Sequence, residues 1–243
     1  VVLGTCLGTS ALNAVSADFV IMSEKAQLSL AVTGENADAK YNAEHGNVSV
    51  VAKDTADAIA KAKELVQYLP SNNLNSAPQT FEEEPSCDCG CIVSKVVDGG
   101  AKFKLYDDFG DNSKARLAHI GGQVVGIINT KGNSLDCKSA SKAAKFVRFC
   151  DAFSIPVITF VNCPGFESLG SAAKLTSAYA EATTVKISVV TGKAIGSAYI
   201  ALAGTGANAD VVYALPDAVI SPVNVEAAAF IMAPESMKVP VAK

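Results

Sequence analysis
Apolar positions fall along the chain in two rhythms. Short continuous runs such as Val124–Asn129, Ile155–Asn162 and Ile187–Thr191 suit strands buried on both faces. Between them, apolar residues recur at helical spacing. In Ala140, Ala143, Phe146, Val147, Cys150 and Phe153 they make one face of a helix beginning at Ser139. Ile59, Ala62, Val66 and Leu69 do the same for a helix over Thr55–Leu69, capped by Thr55 and stopped by Pro70. A further helix is expected over 171–183, and strands over Asp18–Met22, Leu28–Val32 and Asn47–Ala52, while Phe103–Phe109 and a polar bend open the second half. Strands alternating with helices predict an α/β fold with parallel pairing. Pro164-Gly165 then lies at the carboxyl end of its strand, the edge where such sheets bind ligands.

The pattern also repeats. In Lys186–Ala201, KISVVTGKAIGSAYIA, a strand gives way to a turn over Gly192–Gly196 and then a helix start at Ser197-Ala198. Val1–Val20 reads VVLGTCLGTSALNAVSADFV. Setting Val2 on Val190, 188 residues later, puts Gly8-Thr9-Ser10 on Gly196-Ser197-Ala198. After a four-residue insertion, Ala17-Asp18-Phe19-Val20 falls on Ala209-Asp210-Val211-Val212. A repeat this widely spaced predicts two related lobes rather than a solenoid. Each lobe would carry a glycine turn whose free N–H groups can hold an anion or a developing oxyanion. The polar, acidic and proline-bearing stretch Ser71–Pro85 is the best linker, dividing the chain into lobes at 1–90 and 91–243. The first residues read as mid-strand, so the N-terminal lobe is expected to be incomplete, without its opening strands.

Composition narrows the partners. The chain is 49% hydrophobic and 18% charged, enough for a sizeable core, and its net charge is −4. That balance argues against nucleic acid as a partner. No apolar run is long enough to span a bilayer, and no signal peptide is evident. Seven cysteines form no regular framework, which favours a reducing, cytoplasmic setting. The run Cys87-Asp88-Cys89-Gly90-Cys91 lacks the second ligand pair that structural zinc usually takes, so it reads as ordinary thiols and no metal ligand is assigned. His45 and His119 are isolated, and G-x-S-x-G, Walker A and H-E-x-x-H are absent. The chemistry left is backbone stabilisation of oxyanions, such as an enolate made from a thioester. A dinucleotide site is the weaker reading, since Gly192 and Gly196 do not space as G-x-G-x-x-G.

Six segments carry a family resemblance. They are VTGE (Val32–Glu35), YLPSNN (Tyr68–Asn73), IGGQVVGIINT (Ile120–Thr130), KAAKFVRFCDAFSIPVITFVNCPGF (Lys142–Phe166), AYAEAT (Ala178–Thr183) and GKAIGSAYIALAGTGANADVVYALPDA (Gly192–Ala218). In these the chain resembles the carboxyltransferase subunits of biotin-dependent acyl-CoA carboxylases and of the related sodium-pumping acyl-CoA decarboxylases. The resemblance implies two crotonase-like ββα lobes, the N-terminal one binding the acyl-CoA and the C-terminal one receiving carboxybiotin on a biotin carboxyl carrier protein. It implies an active site between the N-lobe of one subunit and the C-lobe of another, hence a homo-oligomer, a dimer of lobes or a hexamer. The decarboxylase branch adds a membrane-bound pump subunit.

Carried over by position, Gly8-Thr9-Ser10 would hold the thioester oxygen as an enolate. Gly196-Ser197-Ala198 would hold the ureido oxygen of biotin, whose nitrogen takes the α-proton once CO2 has left. Pro164, Gly165, Phe166 and Ile200 would line the substrate, with Ile200 bearing on acyl length. The family usually reads Gly-Gly-Ala at both turns, where this chain has Gly-Thr-Ser and Gly-Ser-Ala. Such a second residue fits if its φ is negative. The segment between Phe166 and Lys174 is shorter than in the family, and after Ser221-Pro222 the usual Gly-Pro-Glu-Gly-Ala is replaced. The alternatives are transfer in reverse by a decarboxylase α subunit, another crotonase-type enzyme without biotin, or an inactive structural relative.

Overall fold
A computed structural model describes residues 1–81, 84, 91–205 and 209–232. Residues 91 onward are built on a seven-stranded sheet. Strands β5 (Lys102–Leu105), β6 (Ser113–Ile120) and β7 (Gln123–Thr130) pair antiparallel, and β7 then pairs parallel with β8 (Val157–Cys163) and β8 with β9 (Lys186–Ile195). Two short strands, β10 (Val211–Ala214) and β11 (Val219–Ser221), follow each other along the outer edge of β9, both parallel to it. Helices α5 (Cys137–Ala152) and α6 (Leu169–Glu181) supply the parallel crossovers. The α5 face expected from helical spacing is buried, with Ala140, Ala143, Phe146, Val147 and Cys150 at no more than 1% exposure. Gly126 lets that helix approach β7, because a Cβ there would lie 2.5 Å from Cys150 Sγ. The opposite sheet face is covered by α4 (Ile92–Val96), whose Val93 packs with Ala118, Val125, Ile127 and Phe160.

Residues 1–52 form two small parallel pairs. Strand β1 (Thr5–Leu7) pairs with β3 (Gln27–Ser29), and β2 (Ile21–Ser23) with β4 (Val50–Ala52). Helices α1 (Thr9–Val15) and α2 (Ala39–Glu44) complete this layer around Val2, Ala11, Val20, Met22, Leu28 and Val48. Helix α3 (Thr55–Gln67) packs on β2 and β4. The main core continues across the chain, since Ile21, Ala52, Ala58, Leu65 and Tyr68 join the cluster built on the large sheet.

The α/β alternation is as expected, with local corrections. The cap of α3 is Asp54, whose carboxylate accepts from Asp57 N–H at 2.8 Å, so Thr55 is already the first helical residue. Its buried stripe runs through Ala58, Ala62, Leu65 and Leu69, while Ile59 is 44% and Val66 65% exposed. Both stripes share Ala62 and Leu69, and only packing against β2 and β4 chooses between them. The capping residue of α5 is Asp136, accepting from Ser139 N–H. Helix α2 lies in a stretch too polar to read as helical, and β6 contains no continuous apolar run, because Lys114 and Arg116 alternate with Ala115 and Leu117. Residues Gln79 and Thr80 of the expected linker are tied to the β6–β7 hairpin, Thr80 N–H donating to Gly122 C=O at 2.8 Å. Cys87 and Cys89 lie outside the described residues.

Candidate functional site: two glycine turns
Strand β9 does not turn at Gly192. It continues to Ile195, and the turn is confined to Gly196, with helix from Ser197. The expected turn over Gly192–Gly196 is therefore a strand with an irregular register. Val161 pairs with Val190 and Cys163 with Ala194, so two steps along β8 match four along β9. Asn162 fills the irregularity. Its Oδ1 accepts from Lys193 N–H at 3.1 Å, its own N–H donates to Thr130 Oγ1 at 2.7 Å, and its C=O accepts from Gly132 N–H at 2.7 Å. A Cβ on Gly192 would sit 2.5 Å from Asn162 Oδ1, which explains that glycine by contact rather than by conformation.

The repeat holds down to individual hydrogen bonds. Thr5, Cys6 and Leu7 pair with Gln27, Leu28 and Ser29, and 188 residues on, Lys193, Ala194 and Ile195 pair with Val219, Ile220 and Ser221. Val2 pairs with Met22 as Val190 pairs with Ala214. Gly8 N–H donates to Ser29 C=O at 2.9 Å, and Gly196 N–H donates to Ser221 C=O at 2.9 Å. Gly8 C=O then accepts from Leu12 N–H, and Gly196 C=O from Ile200 N–H. The four-residue insertion falls between the paired strands and leaves the register unchanged.

Both glycines adopt positive φ, 63° at Gly8 and 58° at Gly196, where a side chain is strained. Thr9 and Ser197, the residues that replace glycine in the usual pattern, are absent from the positive-φ set and so carry their side chains without that strain. Because each glycine N–H is spent on the neighbouring strand, the donors left at the helix starts are the N–H groups of Thr9 and Ser10, and of Ser197 and Ala198. The surroundings differ. Ser10 is exposed and its hydroxyl donates to Leu7 C=O at 2.7 Å, whereas Ala198 is fully buried. Beyond Ser197-Ala198 the helix widens into a π-type turn over Tyr199–Ala203.

Pro164 leaves the sheet beside this second turn, since Cys163 opposes Ala194, two residues before Gly196. Gly165 C=O accepts from Leu135 N–H and from Cys163 Sγ, each at 3.0 Å. Burial holds the Cys163 thiol above its ordinary pKa, which disfavours the thiolate. Phe166 pairs with Leu135 and packs on the main core. Ile200 is not a core residue; it is 51% exposed, as is its counterpart Leu12 at 58%. Leu12 borders a cavity of about 350 Å³ with Val15, Leu28, Leu30 and Tyr41. Sequence reasoning missed Asn162, although a lone amide closing an apolar strand just before Cys-Pro-Gly was a visible signal.

Each half of this α/β chain thus carries a matched glycine turn at the start of a helix. The chain matches the carboxyl transferase domain family over residues 1–239 and belongs to that family. It is 31% identical to the methylmalonyl-CoA carboxyltransferase 12S subunit of Propionibacterium freudenreichii subsp. shermanii, over 98% of this chain and 54% of that protein. It is likewise 31% identical to the methylmalonyl-CoA decarboxylase subunit alpha of Propionigenium modestum, over 90% of this chain and 52% of that one. The transcarboxylase 12S structure, described as a hexamer with hydrolysed methylmalonyl-coenzyme A bound, superposes with a TM-score of 0.86, covering 97% of this chain and 55% of that chain. The chain thus spans about half the length of these relatives.

Proposed function
We propose that this protein is a biotin-dependent carboxyltransferase, moving a carboxyl group between carboxybiotin and the α-carbon of a short acyl-CoA. The observation that carries the reading is the matched pair of turns, each leaving two backbone N–H groups unspent beside a positive-φ glycine. In this reading Thr9 and Ser10 N–H receive the thioester oxygen as the α-carbon becomes an enolate, and the cavity beside Leu12 takes the acyl side. Ser197 and Ala198 N–H receive the ureido oxygen of biotin. The small Ala198 side chain and the open side of Gly196, where a Cβ would meet only Pro222 C=O within 4 Å, at 3.9 Å, support this reading. Carboxybiotin supplies the activated carboxyl group and, once CO2 has left, a base for the α-proton. The chain's task is then to orient two oxygens and exclude water. Pro164 and Gly165 form the wall between β8 and the second turn.

Lobes at 1–90 and 91–243 divide these roles into an acyl-CoA side and a carboxybiotin side. A carrier protein would deliver the biotin, and a homo-oligomer would bring the N-lobe of one subunit to the C-lobe of another. The hexamer described for transcarboxylase 12S supports that arrangement. A cytoplasmic setting fits the free thiols of Cys6, Cys91, Cys137, Cys150 and Cys163. No helix among the described residues is long and apolar enough to cross a membrane. A second reading, the α subunit of an acyl-CoA decarboxylase working with a membrane-bound pump subunit, is favoured by the likeness to the Propionigenium modestum protein and uses the same site in reverse. The test is decarboxylation of methylmalonyl-CoA and malonyl-CoA by the full-length protein with free biotin. Turnover that depends on biotin is expected. Its absence from folded, oligomeric protein would overturn both readings.

A further inference from the structure
A second cleft lies where the two lobes meet. It has a volume of about 450 Å³, and its charged lining is Asp18, Lys142, Lys145, Arg148 and Lys174. Four cations and one carboxylate is an unusual balance in a chain of net charge −4. The cations come from two helices. Lys142, Lys145 and Arg148 follow one another at three-residue steps on α5, and Lys174 reaches across from α6 to donate to Ser141 Oγ at 3.1 Å. Two of the others are held more fully. Lys142 Nζ is spent on the carbonyls of Tyr106, Phe109 and Gly110, and Arg148 pairs with Glu181 at 3.1 Å.

Lys145 and Lys174 are different. Among the described residues neither has a carboxylate within ion-pair reach, and Lys145 Nζ stands 5.2 Å over the Tyr106 ring. The cleft floor is rigid. Tyr106 holds φ at 55°, its hydroxyl donates to Asp18 C=O at 3.1 Å, and Phe19 packs on Phe149 with ring centroids 4.4 Å apart. Two ammonium groups without a carboxylate counter-ion, lining one partly aromatic cleft, favour an anionic ligand there.

We propose that this inter-lobe cleft binds a diphosphate-bearing small molecule, clamped between Lys145 of α5 and Lys174 of α6. None of its lining residues belongs to either glycine turn, so the site does not depend on the carboxyl-transfer reading. A ligand there would touch both lobes at once, since Asp18 and Gly46 come from the first and α5 and α6 from the second.

Calorimetric titration of the full-length protein with inorganic pyrophosphate, carried out without CoA and again with CoA saturating, tests the site. Saturable binding that weakens as salt is raised is expected. Lys145→Ala and Lys174→Ala should each weaken it about tenfold, the loss of one charge-assisted hydrogen bond. Both lysines are exposed, so the variants should melt like the parent. The exposed pair Lys25→Ala/Lys63→Ala is the control and should bind as the parent does. ADP in place of pyrophosphate separates the sources, because tighter binding marks a nucleotide and equal or weaker binding marks inorganic diphosphate. No saturable binding, an equal loss in the control, or binding abolished by CoA would each overturn the proposal. The last would make the cleft a resting place for the phosphates of CoA.

Discussion

The Gly8 and Gly196 turns share a register, a backbone conformation and a hydrogen bond to the neighbouring strand, yet they stand in different surroundings. The first ends a two-stranded sheet, leaves Thr9 and Ser10 exposed, and has nothing within 4 Å of a Cβ on either Gly4 or Gly8. The second ends the long strand of a seven-stranded sheet, buries Ala198, and is buttressed by Asn162 against Gly192. One backbone device has been kept while its packing diverged. The difference shows that the turn geometry belongs to strand pairing and a positive-φ glycine, and that the side chains around it vary independently.

The comparison is most exposed to substitution of the turns themselves. Gly8→Val and Gly196→Val each force a β-branched side chain into positive φ. Each should lower biotin-dependent decarboxylation by about 10²–10³-fold, the usual effect of losing one oxyanion donor. Gly8→Val should act on the dependence on acyl-CoA, and Gly196→Val on the dependence on biotin. A folded Gly196→Val protein with the parental rate would break the assignment of the second turn.

A smaller effect concerns how the two halves of the chain gather loose carbonyls. In the first, the neutral Asn42 amide donates to Leu28, Asn36 and Asp38 C=O. In the second, the Lys142 ammonium does this for the 106–110 turn. Lys142→Met should cost about 2–3 kcal/mol and Asn42→Leu about 1–2 kcal/mol, since each strands buried acceptors. Only the first loss should vary with pH. Burial, reinforced by Lys114, brings Lys142 down to about 7 from 10.5. Between those values the unfolded chain binds the extra proton, so stability rises with pH there, at no more than about 1.4 kcal/mol per pH unit. Denaturant melts from pH 7 to 10 on parent and Lys142→Met protein should diverge in that sense. Parallel curves would mean that the three carbonyls hold the proton on the ammonium throughout.

Ile200 and Leu12 sharpen the contrast at the side-chain level. They occupy equivalent positions four residues after the glycine, and both are about half exposed. Ile200→Asp should shift the ratio of kcat/KM among acetyl-, propionyl- and butyryl-CoA by about 10–200-fold, the worth of a methylene in an apolar pocket. Leu12→Asp tests whether its own cavity is the acyl pocket instead. If only the Leu12 change moves the ratio, selectivity belongs to the first turn; equal falls for all three substrates with Ile200→Asp would make it packing.

The mildest test separates the two strands that lead into the turns. Gly192→Ala should destabilise the fold by about 1–2 kcal/mol, because the new methyl meets Asn162 and the irregular register must give. Gly4→Ala, with open space around it, should fall within about 0.5 kcal/mol of the parent. Thermal melts of the two variants compare them directly.

Several features of this protein were determined by sequence alone. The alternation of apolar runs and helical stripes dictated α/β order, because a strand covered on both faces is apolar along most of its length. The spaced repeat dictated two related turns, and Gly8 and Gly196 are glycine because their φ is positive. Tertiary structure decided what depends on neighbours distant in the chain. Ile59 or Ala58 facing inward on α3 is a choice of roughly one helical step, made by β2 and β4. Strand β9 runs straight through Gly192 because Asn162, thirty residues earlier, supplies an acceptor for Lys193 N–H. The carbonyls of the 106–110 turn are held by Lys142 from the next helix, and the cations of α5 and α6 converge only once those helices pack. Local spacing fixes backbone conformation and periodicity, whereas partners and exposure are set by contacts that exist only when the chain is folded.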